Sequence, residues 1–310
     1  MARSVYFAFF LCVLQPLAAF AEIYRYTDEN GVVHFGDRQV QNQQQEAVQL
    51  RGVRSDWQRY HIDVVAGDGV TLTDTERERI EADVNHVYRF FDDVLYFDIH
   101  RTVPVNILLL ANKAAYDSFL STRIEGSLPP SRGIFLGRTN DIVVYIREDR
   151  EGTFRTIKHE TGHAIVATLT PYLPAWLNEG LAEQMEMLTR SGDRLRIESH
   201  PENAADVRDM RDRNLMADVK TFLSMQSTDW RGHYRDKGYS LQSQTGEFVY
   251  FLLSSPTGRS FLTRLTHQYA RGDRTLASYL VDEHYIGGMR VMQDNWALWL
   301  RGARKDALIF

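Results

Sequence analysis

The sequence predicts an α+β protein: one domain that is mostly helical around a single site, a small mixed sheet within it, and an N-terminal β-hairpin appendage. Three observations lead there. Short β-rich runs recur between Trp57 and Ile146, interrupted by helical patterns, and helical patterns dominate the rest of the chain. Asn30-Gly31 stands between two β-rich runs near the start, the strongest short-range hairpin signal. At 310 residues and 44% hydrophobic content, the chain can build one sizeable core and carry a small extra unit. Its net charge of −5 gives no basic footprint, so no nucleic-acid partner is expected.

Residues 1–21 read as an export signal. Arg3 supplies the positive start, Val5 to Leu14 the apolar stretch, and Ala19-Phe20-Ala21 a small-x-small cleavage site. The apolar run is short for a membrane span, so no transmembrane segment is expected in the mature chain. Cys12 lies inside the signal, preceded by Leu11 where a lipoprotein site wants a small residue. With Cys12 removed, no disulfide can form, and any metal must be held by nitrogen and oxygen. Residues 22–40 then form the hairpin: Ile23-Tyr24-Arg25-Tyr26 and Val32-Val33-His34-Phe35 flank Asp28-Glu29-Asn30-Gly31. The stretch YRYTDENGVVHFGD resembles an N-terminal hairpin module, without assigned function, of many secreted proteobacterial proteins. A lone hairpin is marginal in water, so it should pack on something or bind an envelope partner. His34 reads as a strand side chain rather than a ligand. Residues 41–55, glutamine-rich and polar, read as a linker.

The main domain, 56–310, opens with a strand ending at Ala66. Thr73-x-x-Glu76 is a capping box, after which Ile80, Val84, Val87, Phe91 and Leu95 recur on one helical face. His86 lies beside that face as a structural residue. Val103 to Ala111 suits a buried strand and Lys113 to Ser121 a short helix. Leu128-Pro129-Pro130-Ser131 is a break. Gly133 to Leu136 and Asp141 to Ile146 are β-rich runs joined by Arg138-Thr139-Asn140.

The next stretch carries the chemistry. Lys158-His159-Glu160-Thr161-Gly162-His163 has the His-Glu-x-x-His order. Residues four apart share a helix face, so His159 and His163 can offer nitrogens to one ion. Glu160, beside the first of them, can reach a water at that ion. Zinc needs a third ligand and an open position. Pro171 and Pro174 end this helix near Leu169 and start another, Pro174-Ala175-Trp176-Leu177-Asn178-Glu179-Gly180-Leu181-Ala182-Glu183. From His163 to Leu169 the helix rises roughly 9 Å, and a reversed second helix brings Glu179 back near the metal. Glu183, four residues on, shares that face and can hold a ligating histidine in its tautomer.

HETGH followed by WLNEGLAE resembles the gluzincin metallopeptidases, in particular the aminopeptidase-N and peptidase MA-like branch. The resemblance implies a zincin-like domain, Zn2+ as cofactor, His159, His163 and Glu179 as ligands, and Glu160 as general base. Two departures stand out. The gap from His163 to Glu179 is a few residues shorter than in aminopeptidase N. The amine-holding G-x-M-E-N segment is missing, its place taken by Gly133-Ile134-Phe135-Leu136-Gly137-Arg138. In gluzincins an edge strand before the active helix lines the cleft, which implies that Ile142 to Ile146 could pair with an extended peptide.

Beyond the second helix, Ser191-Gly192 is a stop, and Arg194 to Met216 reads as loop and short helix. Gly238-Tyr239-Ser240-Leu241-Gln242-Ser243 opens a helix to about Leu253. A Tyr-x-x-Gln-Ser stretch recurs in the resembled proteins, whose relatives hold the oxyanion with a tyrosine; Tyr239 matches, with Tyr234 and His233 as rivals. The tail residues Phe261, Leu262, Leu265 and Tyr269, then Met289, Met292, Trp296 and Trp299, read as core. No dinucleotide fingerprint, P-loop or Gly-x-Ser-x-Gly elbow occurs. The expected function is thus an exported, periplasmic or secreted bacterial zinc peptidase acting on peptides or proteins. Two alternatives are an envelope-binding protein on the same scaffold, with structural or no zinc, and a cell-wall amide hydrolase.

Overall fold

The computed structural model describes residues 23–27, 33–36, 45–48 and 60–310, apart from 98, 100–102, 125–130, 238–239 and 303–305. The chain divides into two units, Met1–Asp56 and Trp57–Phe310.

The first unit contains β1 (Ile23–Thr27), β2 (Val33–Gly36) and β3 (Gln45–Val48). β1 and β2 pair antiparallel from Thr27↔Val33 to Tyr24↔Gly36, the expected hairpin. β3 pairs with the other edge of β1, Ile23 opposite Val48. Gln45–Val48 lies inside the stretch read as linker, and its pairing has a plain cause. A two-stranded hairpin leaves a row of unpaired backbone groups, and any extended segment, polar or not, can satisfy them.

The second unit runs β4 (Tyr60–Ala66), α1 (Asp74–Arg89), β5 (Val103–Leu110), α2 (Lys113–Ser121), β6 (Gly133–Leu136), β7 (Asp141–Tyr145), α3 (Arg150–Leu169) and α4 (Ala175–Glu186). There follow β8 (Leu188–Ser191), β9 (Arg194–Ile197), α5 (Pro201–Asp212), α6 (Val219–Leu223), α7 (Ser227–Lys237) and α8 (Gln242–Leu253). α9 (Pro256–Ala270), α10 (Ala277–His284), α11 (Gly288–Arg301) and β10 (Leu308–Ile309) end it. The fold is α+β. Among the described residues no helix is long and apolar enough to cross a membrane.

The sheet has the order β4-β5-β7-β6, with β4, β5 and β7 parallel and β6 antiparallel. β5 alternates buried and half-buried residues. Val103, Val105, Ile107 and Leu109 join the main core with the helices, while Leu108 and Leu110 pack with Tyr116 and Leu120 of α2 on the other face. The implication that Ile142 to Ile146 forms an edge fails here: β7 is paired on both sides, and β6 is the outer strand. Arg194 to Met216, expected as loop and short helix, supplies the helix as the three-turn α5 and, beyond expectation, the strand β9. β9 lies between β8 and the chain's last strand, β10, a pairing no local pattern announces.

α1 begins as expected. Thr73 Oγ1 accepts the Glu76 backbone N–H at 3.2 Å, and the Glu76 carboxylate accepts the Thr73 N–H at 3.0 Å. The other Glu76 oxygen takes two bonds from Arg150, at 2.6 and 2.9 Å, tying the start of α3 to the start of α1. Ile80, Val84 and Val87 of α1 are buried, as are Phe91 and Leu95 in and just after the π-helical turn Phe90–Val94 that follows it. In the tail Phe261, Leu262, Leu265, Tyr269, Met292 and Trp296 are buried, and Met289 and Trp299 pack partly buried against them.

Glu76 serves both the cap and the neighbouring helix, so its loss should outweigh that of its capping partner. Thr73→Ala is expected to cost about 1 kcal/mol. Glu76→Ala should cost more, because the Arg150 bonds go as well; urea unfolding of the two variants compares them.

Candidate metal centre

α3 is buried around most of its circumference, from Gly152 to Val166. Its polar side chains therefore need internal partners. Thr156, Thr161 and Thr168 bond back to the carbonyls of Gly152, Ile157 and Ala164. The Lys158 ammonium, deep under the helix, donates to the Leu188 carbonyl at 2.8 Å.

α4 packs on α3 with its chain direction reversed. Gly162 faces Ala182 and Met185, His159 faces Glu186, and Lys158 reaches Leu188. A Cβ on Gly162 would lie 3.3 Å from Met185 Cγ and 3.5 Å from Ala182 Cα, so the two backbones meet at a glycine and an alanine. On its other side Gly180 lies directly against Val249 and Thr245 of α8, and the Thr245 hydroxyl donates to the Trp176 carbonyl. α4 is thus clamped between α3 and α8.

That packing brings the three expected ligands together. His159 Nε2 and His163 Nε2 each lie 3.7 Å from Glu179 Oε2. The two rings stand 4.9 Å apart and nearly perpendicular. All three donor atoms lie within 4.8 Å of one another. Bonds of about 2.0–2.1 Å at tetrahedral angles would set ligand atoms about 3.4 Å apart. Two imidazole nitrogens and one carboxylate oxygen at this spacing could hold one divalent cation, with a position left over.

A second group, His159, Glu183 and Glu186, is equally close. Three of its four carboxylate oxygens are already engaged. Glu183 Oε1 accepts from Gln242 Nε2 at 2.7 Å and Oε2 from Asn203 Nδ2 at 2.8 Å. Glu186 Oε2 lies 3.2 Å from His200 Nε2. This group is a support, and the first group is the better cation site.

The expected role of Glu183 needs correction. Glu183 Oε1 is 3.8 Å from His159 Nδ1, whereas Glu186 Oε1 is 3.0 Å away, in an ion-pair contact off the line of a hydrogen bond. The antiparallel packing is the reason. Moving along α4 from Glu179 runs back along α3, and the level of His159 Nδ1 is reached at the seventh residue on. Residues i, i+4 and i+7 share a face, so both carboxylates were candidates by periodicity.

The electrostatics follow from burial. Burial opposes charge on His159, but the carboxylates of Glu179 and Glu186 outweigh it and hold the ring well above the ordinary histidine range. Burial pushes Glu160 above the usual carboxylate range, with His159 and His163 pulling the other way. Against burial, His163 and His159 hold Glu179 low, and His159 and His200 hold Glu186 very low. A proton on His159 thus balances the carboxylates of Glu160, Glu179, Glu183 and Glu186 around it. That work a cation could take over.

Glu160 sits under β6. A Cβ on Gly133 would lie 3.2 Å from Glu160 Cγ and 2.6 Å from Thr156 Cγ2, so only glycine lets the outer strand run this close to α3. The remaining expected site residue, Tyr239, lies outside the described residues, as does the side chain of Tyr234. His233 is half-buried on α7, which packs against α4. His200, Asn203, Gln242 and Glu186 are the site residues that sequence reasoning missed. His200-Pro201 carries a usable signal, since proline in a first helical turn marks the preceding residue as a cap.

Comparison with known families and proteins adds one finding. Residues 10–56 match a family described as a domain of unknown function (DUF4124). The match takes in β1, β2 and β3, including the strand from the expected linker. No curated protein matches the chain.

Gly133→Ala should overpack the contact of β6 with α3, at about 1–3 kcal/mol by unfolding titration. Removing the offending methyl with Thr156→Ser should recover a large part of that loss. A double variant no more stable than Gly133→Ala would place the strain elsewhere.

Proposed function

We propose that the chain is an exported zinc-dependent peptidase of gluzincin type, on a zincin-like domain. The reading rests on one observation: from two separate helices, His159 Nε2 and His163 Nε2 converge on Glu179 Oε2 at 3.7 Å, next to the buried Glu160. The resemblance of HETGH and WLNEGLAE to that family supports it. So does the donor set, an ordinary one for catalytic zinc.

Zinc, when bound, supplies Lewis acidity that acidifies water and polarises a carbonyl. The chain's own residues do the rest. Glu160 accepts the proton of the attacking water and returns it to the leaving amine. Its burial raises its pKa, which brings acceptor and donor roles closer to neutral pH. The strand proposed to line the substrate cleft is β6, the outer strand, rather than β7, which is paired on both sides. An extended peptide adding to β6 would pass over Gly133 and so over Glu160. Tyr239 or His233 is the proposed oxyanion donor, worth roughly 3 kcal/mol by the usual cost of removing one such donor. Export of the chain, with its N-terminal unit as a candidate for binding an envelope partner, belongs to the same proposal.

Two measurements test it. Purified protein is expected to bind one Zn2+, and His159→Ala, His163→Ala or Glu179→Ala should each weaken binding at least ~100-fold in chelator competition. Zinc binding unchanged by Glu179→Ala would refute the ligand set. Glu160→Gln should keep zinc and the fold while lowering peptide hydrolysis by about 100-fold or more. Wild type that binds zinc yet cleaves no member of a peptide library would favour the binding-protein reading.

Specificity gives a separate check. With no G-x-M-E-N segment to hold a free amine, acetylated and free-amine forms of one cleaved peptide should turn over within a few-fold of each other. A strict demand for the free amine would return the chain to the aminopeptidases.

A further inference from the structure

We infer that His200 is a positioning residue for the metal centre, acting through Glu186 on His159. The inference rests on the zinc reading for the role of His159, and on the geometry of α5 for everything else.

His200 is the N-cap of α5, and its Nδ1 accepts the Asn203 backbone N–H at 3.4 Å. An imidazole nitrogen that accepts carries no proton, so the ring's proton is on Nε2. That nitrogen lies 3.2 Å from Glu186 Oε2 and donates to it. Held there, Glu186 turns its other oxygen to within 3.0 Å of His159 Nδ1, a buried nitrogen that makes no aligned hydrogen bond among the described residues. A carboxylate beside Nδ1 favours a proton on Nδ1. When a cation takes the place of the other proton, the one that stays is then on Nδ1, and Nε2, the nitrogen facing Glu179 and His163, is the one the cation meets.

The same first turn of α5 braces the second carboxylate. The Asn203 side chain donates to Glu183 Oε2 at 2.8 Å, in a slot left open by Gly246, where any Cβ would run into the amide. Gln242 holds the other Glu183 oxygen at 2.7 Å. α5 therefore has a use beyond filling space. Its N-terminus orients both acidic residues that flank His159, and a helix that reads as an ordinary charged surface element becomes a support for a ligand some forty residues upstream.

The experiment separates positioning from folding. Asparagine is a good N-cap but too short to reach Glu186 from position 200. His200→Asn should thus keep the unfolding midpoint within a degree or two while weakening Zn2+ binding about 10-fold. Glu186→Gln should weaken it by about 10–100-fold. The double variant should bind no worse than Glu186→Gln alone, because the two act in series. Additive losses, or wild-type affinity in His200→Asn, would overturn the relay. A metal-free readout keeps the relay and the zinc reading apart. In 15N-histidine-labelled protein without metal, the His159 ring resonances should move on His200→Asn. If they move while wild type binds no zinc, the relay stands and the zinc reading falls. If they stay in place, the relay is wrong, whatever zinc does.

Discussion

The contact on which the rest depends is the antiparallel meeting of α3 and α4 at Gly162 and Ala182. Small residues at that crossing let the backbones approach closely, and the depth of approach sets the distance between side chains above it. His159 and His163 project from one helix and Glu179 from the other, and all three donor atoms fall within 4.8 Å. A Cβ at 162 would sit tight against Met185 Cγ, at 3.3 Å, and in ordinary contact with Ala182, so the crossing has room for little more than a methyl. α8 presses α4 from behind through Gly180, so the separation has little room to drift.

Close helices create a problem that the neighbouring elements resolve. Glu160, Glu183 and His159 are buried, and charges in such a place are costly unless they are paired and hydrogen-bonded. The pairing comes in layers. His159 stands between Glu179 on one nitrogen and Glu186 on the other. His200, Asn203 and Gln242 engage the outer carboxylates from α5 and the start of α8. Among the described residues, His163 Nδ1 and Asn178 Oδ1 remain buried without a hydrogen-bond partner.

The sheet contributes position. β7 feeds directly into α3, and its neighbour β6 runs so close to that helix that Gly133 touches the neighbourhood of Glu160. α1 locks the far end through Glu76 and Arg150. The candidate base is thus held by a helix fixed at its start, beneath a strand whose outer edge is unpaired among the described residues.

The sequence by itself determined what repeats along a single element. The four-residue spacing of His159 and His163, the prolines between the helices, the Thr73–Glu76 box, the Phe261–Tyr269 stripe and the first hairpin all follow from backbone periodicity and local hydrogen bonding. The α+β class follows from their order. Tertiary structure decided whatever depends on how one element sits against another. Periodicity puts Glu179, Glu183 and Glu186 on one face of α4; only the packing on α3 brings Glu186, and not Glu183, to His159 Nδ1. Composition identifies β6 and β7 as strands; only the pairing of β7 with β5 makes β6 the outer one. β3 and β10 carry little local signal, since their bonds come from partners distant in sequence, whereas β9 also pairs locally with β8 across Gly192-Asp193. His200 gains a meaning beyond its cap only when the fold lays α5 beside α4. Local forces act over a few residues and are written in the sequence they act on, whereas the rotation and level of neighbouring elements are set by the whole core at once.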